Sequence, residues 1–318
     1  MGNCGNRLMV PSMQAYVDRL KIAKATGESR GCTIDGRSID GECARPRVSI
    51  ITVAFNSAAT IERTILSVLA QTFRDVEYIV IDGGSTDGTV DLIRKWSARL
   101  SYWHTCKDGG ISDAFNLGIA ASHGELIGIV NSDDWMSPDQ IMLLVAAIDR
   151  SGASFAFGRL AHHTQDGTLL YHMDGSSDYA DGIKWRMPPI NHPTVLSTRR
   201  AFDKVGLFDT SRRVAMDYDW HLRAELDGIK GVYEPQALGH MALGGVCEAD
   251  WRGGLKEVRQ IAIKHTREFF MPNLIYLLRL ARGNIRLALY RVAPRWLVHA
   301  LHRLINPKYS PVRPTPHS

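Results

Sequence analysis

Cysteine is scarce in this chain. Five are scattered among 318 residues, at Cys4, Cys32, Cys43, Cys106 and Cys247, and no CxxC pair occurs. That spacing argues against a zinc ribbon and against the disulfide framework of a small secreted domain. No run of about 18 apolar residues is available to span a bilayer, and the N-terminus lacks the basic-then-apolar pattern of a signal peptide, so the expected location is the reducing cytoplasm. The opening MGNCGN has no Ser or Thr at its sixth position, which counts against a myristoyl anchor. Glycine-rich nucleotide fingerprints are missing too. No GxGxxG follows the first strand-like run and no GxxxxGK[ST] occurs, which counts against a nicotinamide enzyme and a P-loop NTPase.

Acidic residues are absent from one whole region. From Asn273 to Ser318 the chain holds Arg279, Arg282, Arg286, Arg291, Arg295, Arg303, Lys308 and Arg313 but no Asp or Glu. Since the net charge is only +5 and this tail carries +8, everything before it sums to −3. The basicity belongs to an appendage, whereas a nucleic-acid-binding core would show the opposite distribution, so no nucleic-acid partner is expected. Between Pro294 and Ile305, Arg295, His299, His302 and Arg303 share one helical side, and Trp296, Leu297, Ala300, Leu301 and Leu304 another. Such a basic amphipathic helix suits an anionic membrane surface; a helix packed on the domain with a solvated basic face fits equally well.

With 45% hydrophobic and 22% charged residues, the composition is that of a globular chain. Residues 1–45 read as a poorly ordered leader with a weak helical pattern around Tyr16–Ala25. Order begins at the β-branched run starting with Val48. Helical spacing of Ile61, Ile65, Val68 and Leu69 follows within Ala59–Gln71. A second strand, Val76–Ile81, runs into the turn Asp82-Gly-Gly-Ser-Thr-Asp-Gly, with Thr86 placed to cap a helix ending at Trp96. A strand at Ser101–Thr105, a helix at Ser112–Ala121 and a strand at Leu126–Val130 complete this half. Strict alternation predicts an α/β fold with a mostly parallel, Rossmann-like sheet and helices on both faces. A helix at Pro138–Arg150 and strands at Ser154–Ala161 and Thr168–His172 precede an irregular stretch, Asp174–His192. Ala215–Leu226 reads as a helix and Gly231–Tyr233 as a short strand. The expected organisation is a domain at 46–248 in two halves, 46–137 and 138–248, then a basic helical extension at 249–318.

Ligands of open parallel sheets bind at the carboxyl ends of the strands. Here the first strand ends at Phe55-Asn56, the second at Asp82-Gly83-Gly84 and the fourth at Asn131-Ser132-Asp133-Asp134. Val48-Ser-Ile-Ile-Thr-Val-Ala-Phe-Asn, Val80-Ile-Asp-Gly-Gly-Ser-Thr-Asp-Gly-Thr, Asp108-Gly-Gly-Ile-Ser-Asp-Ala-Phe-Asn-Leu-Gly, Asn131-Ser-Asp-Asp and Met216-Asp-Tyr-Asp-Trp, taken together and in this order, resemble the family-two glycosyltransferases of GT-A fold. The subgroup they look closest to builds bacterial exopolysaccharide or lipid-linked oligosaccharide, one sugar at a time.

That resemblance implies a catalytic domain at 46–248 with a nucleotide-sugar half at 46–137 and an acceptor half at 138–248, a nucleotide-sugar donor, a saccharide or lipid-linked acceptor, and a divalent cation, Mn2+ or Mg2+. Phe55 would wall or stack on the base, and Asp82 would accept from a pyrimidine N3–H, although turn chemistry alone also explains Asp82. Asp134 stands in the metal-binding position, with Ser132 in place of the first acid, and Asp133 falls nearer the ribose or sugar. Helix capping is the bland alternative for this pair. Asp108, Asp113 and Asn116 lie in the segment that resembles the donor-contacting loop. Asp217 occupies the place of the base that deprotonates the acceptor. Met216 replaces the neighbouring acid, which leaves Asp219 as a substitute base; ordinary helix N-terminal carboxylates would explain both aspartates. His192 would line the acceptor side, and His240 would be a third metal ligand, although lone histidines are more often structural. The QxxRW signature of processive synthases is absent, in keeping with single addition. A nucleotidyltransferase is the runner-up, but the loop after the first strand has no basic residue until Arg63. A sugar-nucleotide-binding scaffold without catalysis is the non-enzymatic alternative.

Overall fold

The structure, a computed structural model, describes residues 12–25, 29–31, 45–244, 250–292 and 309–311. Helix α1 (Met13–Ala25) and strand β1 (Ser29–Gly31) come first. Then β2 (Val48–Ala54), α2 (Ile61–Leu69), β3 (Val76–Asp82), α3 (Thr89–Trp96), β4 (Tyr102–Thr105), α4 (Ile111–Ala121) and β5 (Leu126–Asn131) alternate as expected. Strands β4, β3, β2 and β5 lie side by side in that order and run parallel. Chain order therefore reverses at β2, and a crevice opens there beyond the strand ends.

Every residue of β2 is buried, and its side chains alternate between two cores. Ile51 and Val53 join a core with α4, while Val48, Ile50 and Ala54 join another with α2 and α3. Helices thus cover both faces. Helix α4 presses closely on the sheet because Gly118 has no side chain; a Cβ there would stand 2.3 Å from Ile51 Cγ2. The cap of α3 differs from expectation. Gly88 takes the N-cap position in the left-handed region (φ 96°), and Asp87, not Thr86, accepts from the Thr89 and Ala58 amides.

The second half adds β6 (Asp134–Met136), α5 (Gln140–Ser151), β7 (Phe155–His163), β8 (Leu169–Met173), β9 (Leu196–Thr198), α6 (Arg199–Val205), α7 (Met216–Leu226) and β10 (Gly231–Ala242). Strand β9 pairs antiparallel with both β5 and β7, β10 runs parallel to β7, and β6 closes antiparallel on β10. The sequence predicts only three residues of β10. Pro235 hides its continuity, because proline cannot donate to the ladder, and the register with β7 shifts between Tyr233 and Leu238.

Two terminal expectations need correction. Residues 13–25 are not a loose leader: α1 lies against α4, with Tyr16 and Leu20 at 0% and 1% exposure in the core. The C-terminal helices α8 (Trp251–Thr266) and α9 (Phe270–Val292) are present, and α8 packs on α7 of the second half. Helix α7 lacks a side-chain cap of its own. Instead Glu257 of α8 accepts from the amides of Arg213, Val214 and Ala215, at 3.0, 3.0 and 2.8 Å. Helix α9 exposes Phe270, Leu274, Leu277, Leu278 and Ile285, which fall within one side of a helix of 3.6 residues per turn. No described helix is long and apolar enough to cross a membrane. The amphipathic segment expected at Pro294–Ile305 lies outside the described residues. Strand β11 (Tyr309–Pro311) pairs antiparallel with β8.

Asp219 ties α7 to α8. It is 1% exposed and meets Arg223 Nε and His265 Nε2, each at 2.8 Å. Burial alone would raise its pKa, but the His265 hydrogen bond and the Arg223 charge outweigh it and hold the carboxyl below the ordinary range. Such a group stabilises the fold fully above its unfolded pKa of about 3.9, and that stability is lost as pH falls through the lower folded value. Asp219→Asn is therefore expected to cost about 3 kcal/mol at pH 7. In denaturant titrations the gap from the unmodified protein should shrink progressively as the pH is taken below about 4; a gap independent of pH would show that the pair is not what holds α8.

Candidate functional site

Three loops meet at the carboxyl ends of β2, β3 and β4. Phe55, 65% exposed, stands at the end of β2 with its ring free to face a ligand. Asn56, in the left-handed region at φ 49°, accepts from the Thr86 amide and donates its own amide to Ser85 Oγ, joining the first two loops. Asp82 is 0% exposed and holds its own turn together. Its Oδ2 accepts from Gly84 N, Ser85 N and Thr105 Oγ1 (3.1, 3.0 and 2.6 Å), and Oδ1 accepts from the Ser85 hydroxyl. A carboxylate offers about four acceptor positions. Asp82 thus acts as the organiser of the β3 loop, and its Oδ1, with a single partner, keeps one acceptor position. The third loop packs on the second: a Cβ on Gly83 would stand 2.7 Å from Asp108 Oδ2, while Asp108 Oδ1 accepts from Gly110 N at 2.8 Å. Burial first, and the nearby Asp113 and Asp82 charges next, raise the pKa of Asp108.

Asn116 does not face this crevice. It is 0% exposed; its amide nitrogen donates to Tyr16 Oη and Phe208 O, and its oxygen accepts from Phe208 N. All of those bonds are internal, so its donor-binding assignment gives way to a structural one: it joins α4 to α1 and to the segment at Phe208. Ser112, at the start of the same helix, donates to Arg212 O at 3.1 Å. Through these contacts the segment leading into α7 is moored beside the donor loop.

The acidic segment Asn131–Asp134 follows β5. The Thr64 hydroxyl bridges the carbonyls of Ser132 and Asp134, and Ser132 Oγ donates to Ser57 Oγ at 2.8 Å. Arg63, a residue the sequence reading did not single out for this site, donates from Nη2 to Asp133 O at 3.0 Å, and its Cζ lies 3.6 Å from the centre of the Trp135 ring. Asp134 is 1% exposed. Asn131 Nδ2 approaches its Oδ2 at 3.3 Å, but Asp134 Oδ1 and Asn131 Oδ1 are buried without hydrogen-bond partners. Burial first, then the Asp133 charge, raises Asp134 well above the usual carboxylate range, and burial likewise raises Asp133. Unpartnered hard oxygens carrying too much negative charge fit a divalent cation. Among the described residues no cluster of three or more His, Cys, Asp or Glu could hold a metal. Mn2+ or Mg2+ needs only one or two carboxylates when substrate phosphates supply other ligands.

His240 is close to this segment but differently employed. On β10 it pairs with Trp135 of β6, and the two rings stack 5.1 Å apart at 2°. His163 Nδ1 lies 3.0 Å from Gly167 O and must donate to it, so His163 Nε2 accepts. His240 Nδ1 then donates to that nitrogen at 3.0 Å, and His240 Nε2 accepts from Ser137 Oγ at 2.8 Å. Neither ring nitrogen keeps a free lone pair, so His240 supports Trp135 and is not presented as a metal ligand. Burial, aided by His163, pushes its pKa down to about 4, in keeping with a neutral ring.

On the acceptor side, Asp217 stands partly buried in the first turn of α7. Burial raises its pKa, and neighbouring His192 partly offsets that rise. His192 lies in the 3-10 turn His192–Thr194 before β9 and packs between Phe115 and Phe208, with ring centres at 5.4 and 6.5 Å. Met216, where the resemblance leads one to expect a second acid, is 6% exposed and belongs to the apolar core. Asp219 is committed to Arg223 and His265. Of the two candidate bases, only Asp217 is without a cationic side chain bonded to it.

Comparison with known proteins agrees with this architecture. A family model described as glycosyl transferase family 2 matches residues 49–208. An uncharacterized glycosyltransferase of Mycobacterium tuberculosis is 41% identical over 109 residues, covering 34% of this chain and 42% of the relative. The succinoglycan biosynthesis protein ExoO of Rhizobium meliloti is 32% identical over 158 residues, covering 49% of this chain and 44% of ExoO. This chain thus spans less than half the length of these two relatives. Among solved structures, the mannosyltransferase PcManGT from Pyrobaculum calidifontis, in complex with GDP-Man and Mn2+, superposes with a TM-score of 0.57 at 18% identity, over 93% of this chain and 94% of that one. At that identity the likeness speaks to fold alone. The parallel half-sheet, the loops converging at its carboxyl ends and the family match over residues 49–208 make this chain a family 2 glycosyltransferase with a GT-A fold.

Proposed function

We propose that the chain is an inverting, non-processive transferase that moves a sugar from a nucleotide-diphosphate sugar, UDP-linked in our reading, to a hydroxyl of a saccharide or lipid-linked acceptor. The observation that carries this is the buried Asp134, with an unpartnered carboxylate oxygen, next to the half-buried Asp133 and beyond the strand ends of the parallel half-sheet. PcManGT, solved with a nucleotide-diphosphate sugar and Mn2+, supports the donor class and the cation. Asp134 would hold the metal and Asp133 would face the ribose or sugar. When bound, a divalent cation supplies Lewis acidity that offsets charge on the departing diphosphate. The Phe55 ring offers a flat face for the base, and Asp82 and Asp108 hold the loops that flank it. Asp217 takes the proton of the acceptor hydroxyl while that oxygen attacks the anomeric carbon and the bond to the diphosphate breaks. A single displacement inverts the configuration at that carbon. The exposed apolar side of α9, in a region rich in Arg and without acids, supports peripheral contact with an anionic membrane, where a lipid-linked acceptor would be met.

Three measurements test this reading. Asp134→Ala should abolish the Mn2+-dependent part of UDP binding in calorimetry, with GDP run alongside; binding indifferent to chelator would remove the metal claim. Asp217→Asn should lower kcat by about 10²–10⁴-fold with unchanged nucleotide affinity. Because the base works only when ionised and burial raises its pKa, kcat/KM should rise with pH through a value above the ordinary carboxylate range. Loss of nucleotide affinity in that variant would instead put Asp217 in the donor site. Finally, the intact chain should sediment with phosphatidylglycerol vesicles at low salt, and Leu277→Glu with Leu278→Glu should release it; an intact chain that ignores the vesicles sinks the membrane reading.

A further inference from the structure

We infer that the N-terminal segment is a bracket that sets the donor loop, and that Arg19 is its positioning residue; this rests on reading Asp108–Gly110 as part of the donor site. The segment precedes the matched family region, which begins at residue 49. Arg19 on α1 reaches Asp113 on α4 with both ends of its guanidinium, Nη1 to Oδ1 at 2.8 Å and Nη2 to Oδ2 at 3.0 Å. Asp113 Oδ2 also accepts from Gly109 N at 2.8 Å. One carboxylate thus couples α1 to the backbone of the loop that carries Asp108. Burial would raise the Asp113 pKa, and the Arg19 hydrogen bonds more than reverse this. Remove Arg19, and a 7%-exposed carboxylate would remain beside Asp108 with no cation bonded to it.

Two further contacts hold the bracket in place. Fully buried Tyr16 accepts from Asn116 Nδ2 at 3.1 Å, and β1 pairs antiparallel with β4, Ser29 opposite His104 and Gly31 opposite Tyr102. The N-terminal segment therefore flanks the donor loop twice, along the strand that enters it and across the helix that leaves it. Gly109 and Gly110 make the loop soft, and Gly110 sits at φ 108°. A soft loop with a charge-assisted anchor owes its position to that anchor.

The test compares the full chain with Arg19→Ala and Arg19→Lys. Without any ligand, amide exchange over residues 105–113 should quicken about tenfold in Arg19→Ala, the loss expected for a hydrogen bond to a charged group. Exchange in β2 and β5 should stay unchanged. With donor present, the KM for metal-dependent donor hydrolysis should rise about tenfold while kcat moves less than about twofold, and Lys, which keeps the charge but not the fork, should restore part of the loss. An Arg19→Ala protein with wild-type exchange and KM overturns the inference. Exchange that quickens uniformly across the sheet overturns it as well, since α1 would then serve only general stability. If the full chain binds neither UDP nor GDP yet exchange still changes only over 105–113, the bracket stands and the donor reading fails.

Discussion

Asp134, at the start of β6 and three residues beyond the parallel strand β5, has one carboxylate oxygen that meets no donor, and a buried polar atom left so costs several kcal/mol unless something completes it. Much of the surrounding structure serves to hold that unsatisfied group in place. The Thr64 hydroxyl spans the carbonyls on either side of the acidic pair, Arg63 ties down the carbonyl of Asp133, and Trp135 is clamped between Arg63 and His240. Behind His240 runs a one-way chain of hydrogen bonds through His163 to a backbone carbonyl. A neutral His240 suits this position, since another cation there would lessen the charge imbalance that makes the pair receptive to a metal. Rigid support of this kind is what a functional side chain requires if its oxygens are to wait in place for a ligand.

The same chemistry yields different outcomes for the other aspartates, and partners decide which. Asp113, Asp209 and Asp219 each meet Arg or Lys and are held below the ordinary carboxylate range. Asp108, Asp133, Asp134 and Asp217 have no such side-chain partner and are raised. The first set joins elements: α1 to α4, and α7 and the loop before it to α8. The second set lies after β4, after β5 and in the first turn of α7, and burial is the first cause of each rise. A raised carboxylate is costly, which makes these four candidates for a functional role.

Helix α8 shows why the C-terminal part cannot be treated as a separate appendage. Helix α7 begins without a side-chain cap, and Glu257, from a segment more than thirty residues later, holds the amides of the three residues that lead into it. The approach to Asp217 therefore depends on α8 being docked. Terminal segments on both sides of the family region thus hold two neighbouring stretches of chain, α1 the Asp108–Gly110 loop and α8 the entrance of α7.

The sequence by itself determined the layering. The β-branched run of β2, helical spacing in α2 and strict alternation up to β5 follow from local side-chain chemistry, so those elements were legible with errors of a residue or two. The acidic segment and the polar strand ends were legible as well, because charge placed directly after a buried run has few local explanations. Partnership was not legible. Asp82, Asn116 and His240 carry residue types that bind ligands readily, yet their bonds close on Ser85, Phe208 and His163, and sequence spacing says nothing about contacts that distant. Arg63 and Glu257 were missed for the same reason: each acts on backbone groups far away along the chain. Continuity of β10 was hidden by Pro235, since a strand interrupted by proline survives only through its neighbour's register. Only tertiary structure separates Asp217 from Asp219, because two carboxylates two residues apart on one helix point to different sides, and it is Asp219 that is bonded to Arg223 and His265.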